Sequence, residues 1–118
     1  MNARALGLVA MGGFLGALSR YAIAAAFPAA FPWGTLLVNV AGAFLLGVIV
    51  YEGVLLGELS REARLLASTG FVSSFTTYST FAAETVALDP TLAALNVAGN
   101  YVLGFLAVLC ARTVVRWL

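Results

Sequence analysis

Hydroxyl side chains, β-branched residues and aromatic rings crowd one stretch of this chain, Gly70-Phe71-Val72-Ser73-Ser74-Phe75-Thr76-Thr77-Tyr78-Ser79-Thr80-Phe81, inside a segment otherwise apolar enough to cross a bilayer. Lipid offers polar groups no partner, so such a cluster has to face protein or a conducting path. A hydroxyl is an uncharged donor that can replace water around a small, hard anion. An aromatic ring presents a positive edge that can do the same. Uncharged donors suit conduction, because binding has to be weak enough for the ion to leave. On a helix, Thr77, Thr80, Phe81 and Glu84 share one face, and Tyr78 lies beside Phe81. The hydroxyl-rich run also competes for backbone groups and favours a break in the helix. A break would expose carbonyl oxygens able to hold a cation between protein surfaces.

Other polar residues recur at helical spacing in neighbouring apolar segments. Thr35, Asn39, Ala43 and Gly47 follow one another at i, i+4, as do Asn96, Asn100 and Gly104, with Tyr101 beside Asn100. Spacing alone leaves interhelical hydrogen bonding and ion contact as open alternatives for the asparagines, while the Tyr101 hydroxyl is the better pore donor. Arg20 is the only basic residue set well inside an apolar segment. Snorkelling is one reading of it, and a pore mouth that draws anions is the reading adopted here. Glu84 shapes a vestibule or pairs with a basic group.

The elements that position these residues follow from composition. The chain has 118 residues, of which 63% are hydrophobic and 9% charged. Soluble domains carry roughly 25% charged residues. Helical spans of about 20 residues cross a hydrocarbon core. The chain divides almost completely into four of them, at roughly 5–27, 34–56, 65–88 and 91–114. The expected fold is an all-α integral membrane protein, residues 1–118 forming one four-helix transmembrane domain whose third helix is broken near its middle. Pro28, Pro32, Trp33 and Gly34 separate the first two spans, and Gly57 to Arg64 is the hydrophilic link before the third. Asp89-Pro90 supplies a capping side chain and a first-turn proline for the fourth. The pairs Gly12/Gly16, Gly13/Ala17 and Ala43/Gly47 read as close helix-packing sites. The first apolar stretch is too long for a cleaved signal peptide, and Arg20 interrupts it.

The absence of His and the single Cys110 exclude a Cys/His metal site and an internal disulfide. A net charge of +1 with no basic patch gives no reason to expect nucleic acid. No nucleophile, base and orienting group stand together, so an enzyme is not expected. In an alternating four-helix arrangement Arg4, Arg61, Arg64, Arg112 and Arg116 fall at one end and Arg20 towards the other. The positive-inside rule then puts both termini in the cytoplasm.

These residues resemble the fluoride channel family called Fluc or CrcB over nearly the whole chain. The resemblance is carried by Gly12-Gly13, Gly16-Ala17 and Arg20-Tyr21, by Gly34-Thr35-Leu36 with Asn39 and Gly42, and by Gly70-Phe71 with Thr76-Thr77-Tyr78-Ser79-Thr80-Phe81. It implies a passive fluoride-selective channel that exports toxic fluoride across the inner membrane of a prokaryote. It also implies an antiparallel dimer with two pores and a structural sodium ion at the dimer interface, held by backbone carbonyls at Ser73 and Thr76. Asn39, Tyr78, Phe81, Ser79 and Thr80 would line the fluoride path, Thr35 and Tyr101 would be further polar positions along it, and Arg20 and Glu84 would sit in its vestibules.

Two positions depart from the family pattern: Ser73-Ser74 stand where Gly-Gly is usual, and Tyr78 where Phe is usual. Five arginines at one end against one at the other predict insertion mainly one way. The antiparallel partner is then either a second copy or an oppositely biased paralogue. Two other classes share this outline. A small multidrug-type cation exporter would need an intramembrane acid, usually in its first span, where this chain offers Arg20 instead. A non-transporting assembly subunit would use the same glycines and asparagines for packing alone.

Overall fold

The computed structural model describes residues 2–28 and 30–118. Helices account for all the regular structure among them. Helix α1 covers Ala3–Ala25, α2 Trp33–Leu55, α3 Arg61–Arg64, α4 Ser73–Phe75, α5 Ser79–Ala87 and α6 Pro90–Arg116, with a π-helical stretch, Leu65–Val72, joining α3 to α4. Helices α1, α2 and α6, of 23, 23 and 27 residues, are long and apolar enough to cross a membrane. From Arg61 to Ala87 the chain is helical but interrupted at Thr76, Thr77 and Tyr78.

Capping explains the helix starts. The Asn2 side chain accepts from Ala5 N at 2.9 Å, Ser60 Oγ from Ala63 N at 3.1 Å and Asp89 Oδ1 from Leu92 N at 3.0 Å. Pro90 occupies the first turn of α6, where its missing N–H leaves no orphan.

Two close approaches build the bundle. Gly12 and Gly16 of α1 are buried, and a Cβ on either would overlap the carbonyl oxygen of Leu66 or Phe71 respectively. A Cβ on Gly70 would in turn sit 2.9 Å from Gly12 Cα, so backbone meets backbone there. The π-helical stretch is the part of the chain that α1 packs against so tightly, and widened turns of this kind, rare overall, are frequent at functional sites. On the other side α2 packs on α6, with Gly47 against Ala111 and Val108 and with Leu36 against Gly99. That order of contacts makes α2 and α6 parallel, while Ala24 beside Gly34 turns α1 antiparallel to α2. The small residues Gly12, Gly16 and Gly47 are therefore packing positions. Arg4, Arg61, Arg64, Arg112 and Arg116 lie at one end of the bundle and Arg20 towards the other.

A clasp closes the link after α2. The buried carboxylate of Glu52 accepts from Glu58 N and Leu59 N through Oε1, the latter at 2.8 Å, and meets Arg64 Nη2 through Oε2 at 2.7 Å. Arg64 also donates to Ile49 O at 3.3 Å, in space left by the missing side chain of Gly53. Gly57 makes the turn with φ +71°. Glu52→Ala would strand two amides and a guanidinium, and a destabilisation of about 2–3 kcal/mol is expected. Thermal unfolding of the detergent-solubilised protein measures it, and Arg64→Gln, losing the more exposed partner, is expected to cost less.

Candidate functional site

The interruption after Phe75 is the centre of the site. Thr76 is extended, with φ −82° and ψ 159°, so α4 stops and α5 starts again only at Ser79. A chain that leaves a helix at membrane depth must find partners for its freed backbone groups. Asn39 of α2 supplies them, accepting from Thr77 N at 2.8 Å through Oδ1 and donating to Thr77 O at 2.9 Å through Nδ2. The amide thus stands in for a missing stretch of backbone. Thr77 Oγ1 then accepts from Thr80 N at 3.2 Å and opens α5.

Because Thr77 N turns to Asn39, Ser73 O loses the donor that a continuous helix would bring. Among the described residues no N–H donates to Ser73 O or Thr76 O. The Ser73 hydroxyl donates back to Thr69 O and Gly70 O, and Thr76 Oγ1 to Val72 O at 3.0 Å. Both hydroxyls thus serve the helix, and the four successive carbonyls from Ser73 to Thr76 are left without a donor among the described residues.

Two concavities flank the break. The first, of about 200 Å3, is lined by Arg20, Tyr21, Thr35, Val38, Thr77 and Thr80 among others. Arg20 forms no ion pair among the described residues. Thr35 is buried, and its hydroxyl donates to Glu84 Oε1 at 2.6 Å, so Glu84 pairs with a neutral donor rather than a cation.

The second concavity, of about 180 Å3, is a groove lined by Asn39, Tyr78, Phe81, Asn100 and Tyr101. Tyr78 and Phe81 lie 5.7 Å apart between ring centroids, and Tyr101 meets Phe81 nearly edge-on, at 6.3 Å and 74°. Phe81 is buried, whereas Tyr78 and Tyr101 are 71% and 61% exposed in the single chain. Asn39 donates onward to Asn100 Oδ1 at 3.2 Å, Asn100 Nδ2 to Asn96 O at 2.9 Å and Asn96 Oδ1 at 3.1 Å, and Asn96 Nδ2 to Thr85 Oγ1 at 2.9 Å.

The residues singled out in the sequence are therefore distributed unevenly. Asn39, Tyr78, Phe81 and Tyr101 share the groove, while Arg20, Thr35 and Thr80 share the first concavity. Ser79 is exposed and lines neither, and Ser73 stands exposed at the start of α4. Thr77 leaves the face it would share with Thr80, Phe81 and Glu84 on an unbroken helix, because the break precedes Ser79. Asn96 is fully buried and serves as an interhelical hydrogen-bonding residue. Sequence reasoning passed over Glu52, although a lone acid in an apolar span was the available sign of its role.

Comparison with known proteins adds an independent line. Residues 7–112 match the family described as CrcB-like protein, Camphor Resistance (CrcB). The chain is 65% identical to fluoride-specific ion channel FluC 1 of Natronomonas pharaonis over 117 residues, covering 99% of this chain and 98% of that one. It is 59% identical to FluC 1 of Haloarcula marismortui, covering 92% of this chain and 84% of the relative. It is 46% identical to FluC of Methanopyrus kandleri, covering 92% and 87% respectively. Both of these relatives are likewise described as fluoride-specific ion channels.

Proposed function

The chain belongs to the CrcB-like family, and on that premise we propose that it is a passive fluoride-selective ion channel, which lets fluoride escape from the cytoplasm of a prokaryote. The observation that carries the reading is the groove in which Asn39 and Asn100 meet the rings of Tyr78, Phe81 and Tyr101. Its donors are neutral amides and hydroxyls, and ring edges add weak positive potential, which together exchange for a water shell without trapping the ion. Arg20 in the first concavity raises the local anion concentration at its end of the bundle. In this reading the protein is multi-pass, with α1, α2 and α6 as unbroken spans and the interrupted segment α3 to α5 as a fourth.

The assembly follows from what one chain leaves uncovered. Ser73, Tyr78, Ser79 and Thr80 are all exposed at the break, and lipid is a poor cover for them. A second, inverted chain laid over that face would close the groove. Ser73 O and Thr76 O, the first and last of four successive carbonyls without a hydrogen-bond donor among the described residues, are neutral oxygens that fit a hard cation. When bound, a sodium ion would neutralise that cluster of dipoles, and two carbonyls from each of two chains would hold it. Both termini face the cytoplasm in this arrangement, by the arginine distribution. The same distribution favours an oppositely biased partner over a second copy.

Fluoride efflux from liposomes loaded with the chain purified alone, read with a fluoride electrode beside a chloride control, tests the proposal. Fluoride release without chloride release is the expected result once an inverted partner is available. A functional antiparallel homodimer from the chain alone would overturn the preference for a paralogue. Silence both alone and with a candidate second subunit would overturn the channel reading in favour of a non-transporting subunit.

A further inference from the structure

Backbone atoms fix the orientation of both amides beside the break. Asn39 Oδ1 has to face Thr77 N, which turns Nδ2 towards Thr77 O and leaves its second hydrogen for Asn100 Oδ1. Asn100 has to present Nδ2 to Asn96 O, so only its Oδ1 can face Asn39. Beyond it, Asn96 Nδ2 donates to Thr85 Oγ1, whose own hydrogen goes to Phe81 O at 2.7 Å. The links from Asn39 to Asn100, Asn100 to Asn96 and Asn96 to Thr85 therefore all run in one direction, and the last hydroxyl ends on the backbone of α5 at Phe81 O. The longest link, at 3.2 Å, is the one that lies in the groove.

We propose that Asn100 sets the affinity of the conduction path, its Oδ1 acting as a resident acceptor that a passing anion must displace from the Asn39 amide. The inference deepens the reading of the groove as a fluoride path and depends on it. With Asn100 present, an entering fluoride exchanges one hydrogen bond of Asn39 for another, so the net gain is small and the ion moves on. Without that acceptor the Asn39 N–H waits unpaired in a dry site, and an anion relieves the penalty by staying. Asn96, with no exposed surface, holds Asn100 in place through two hydrogen bonds and is its positioning residue.

The test is the fluoride dependence of current through the conducting assembly in planar bilayers. Asn100→Leu keeps the volume and removes the acceptor. Its half-saturating fluoride concentration is expected to fall roughly tenfold, with the maximal current falling as the ion leaves more slowly. Asn96→Leu removes one of the two hydrogen bonds that hold Asn100, leaving the bond to the residue 96 carbonyl, and is expected to shift half-saturation the same way by a smaller factor. It carries the test alone if Asn100→Leu fails to assemble. A residue that only packs would change the number of active channels and leave half-saturation where it was. An unchanged or raised half-saturation in a conducting variant overturns the inference, whereas a wild type that passes no fluoride overturns the channel reading itself.

Discussion

Asn39→Leu is expected to pass fluoride at least about thirtyfold more slowly than the wild-type chain, as each unpaired buried polar group costs about 1–3 kcal/mol. The substitution preserves volume and removes three hydrogen bonds, two of them to the backbone of Thr77. Thr77 N–H and C=O would then stand unpaired at membrane depth. Two such groups amount to about 2–6 kcal/mol, or about one and a half to four orders of magnitude in the population of the native break. The cheapest repair is for Thr77 N to return to Ser73 O as in a continuous helix, which consumes the carbonyl left free by the break and rotates Tyr78 away from Phe81. Fluoride-electrode flux and gel filtration, measured together, separate lost conduction from lost assembly. Flux within threefold of wild type in a correctly assembled variant would show that the break does not need this cap.

Gly16→Val should have the largest effect on folding. Its Cβ would overlap the carbonyl of Phe71, a backbone atom with no rotamer to adopt, so α1 would have to part from the π-helical stretch. Overpacking of flexible side chains costs about 1–3 kcal/mol, and a backbone obstruction lies at or beyond the upper end. Loss of monodisperse protein in detergent is the expected outcome. Gly104→Ala is the matched control, because nothing lies within 4 Å of a Cβ there. If both variants purify and melt alike, the close approach of α1 is not what holds the bundle together.

Composition and punctuation made the helices legible in the sequence. The long apolar runs follow from hydropathy, and the start of α6 from Asp89-Pro90, because both depend on local chemistry. The interruption was legible too, as a run of serines and threonines inside a span. What could not be read was the partner of each amide. Asn39 sits 38 residues from Thr77 and 61 from Asn100, and periodicity says nothing about which of them it meets. For the same reason Asn96 and Asn100 were indistinguishable as glue or path until α5 was seen beside α6. The π-helical stretch has no marker of its own, since close packing against Gly12 and Gly16 accompanies it. Glu52 went unremarked because its partner lies across a turn rather than one helical turn away.

The one-ended placement of the arginines has a consequence for the life of each molecule. Flipping a chain already in the bilayer would drag five guanidinium groups through hydrocarbon, at about 2.5–3.5 kcal/mol each even on the mildest scale, or about 12–18 kcal/mol together. Orientation is then decided once, during synthesis, and no later shuffling can correct it. Under the inverted pairing proposed above, a cell would have to set the ratio of the two partners at the ribosome, and every surplus copy would be stranded without a mate.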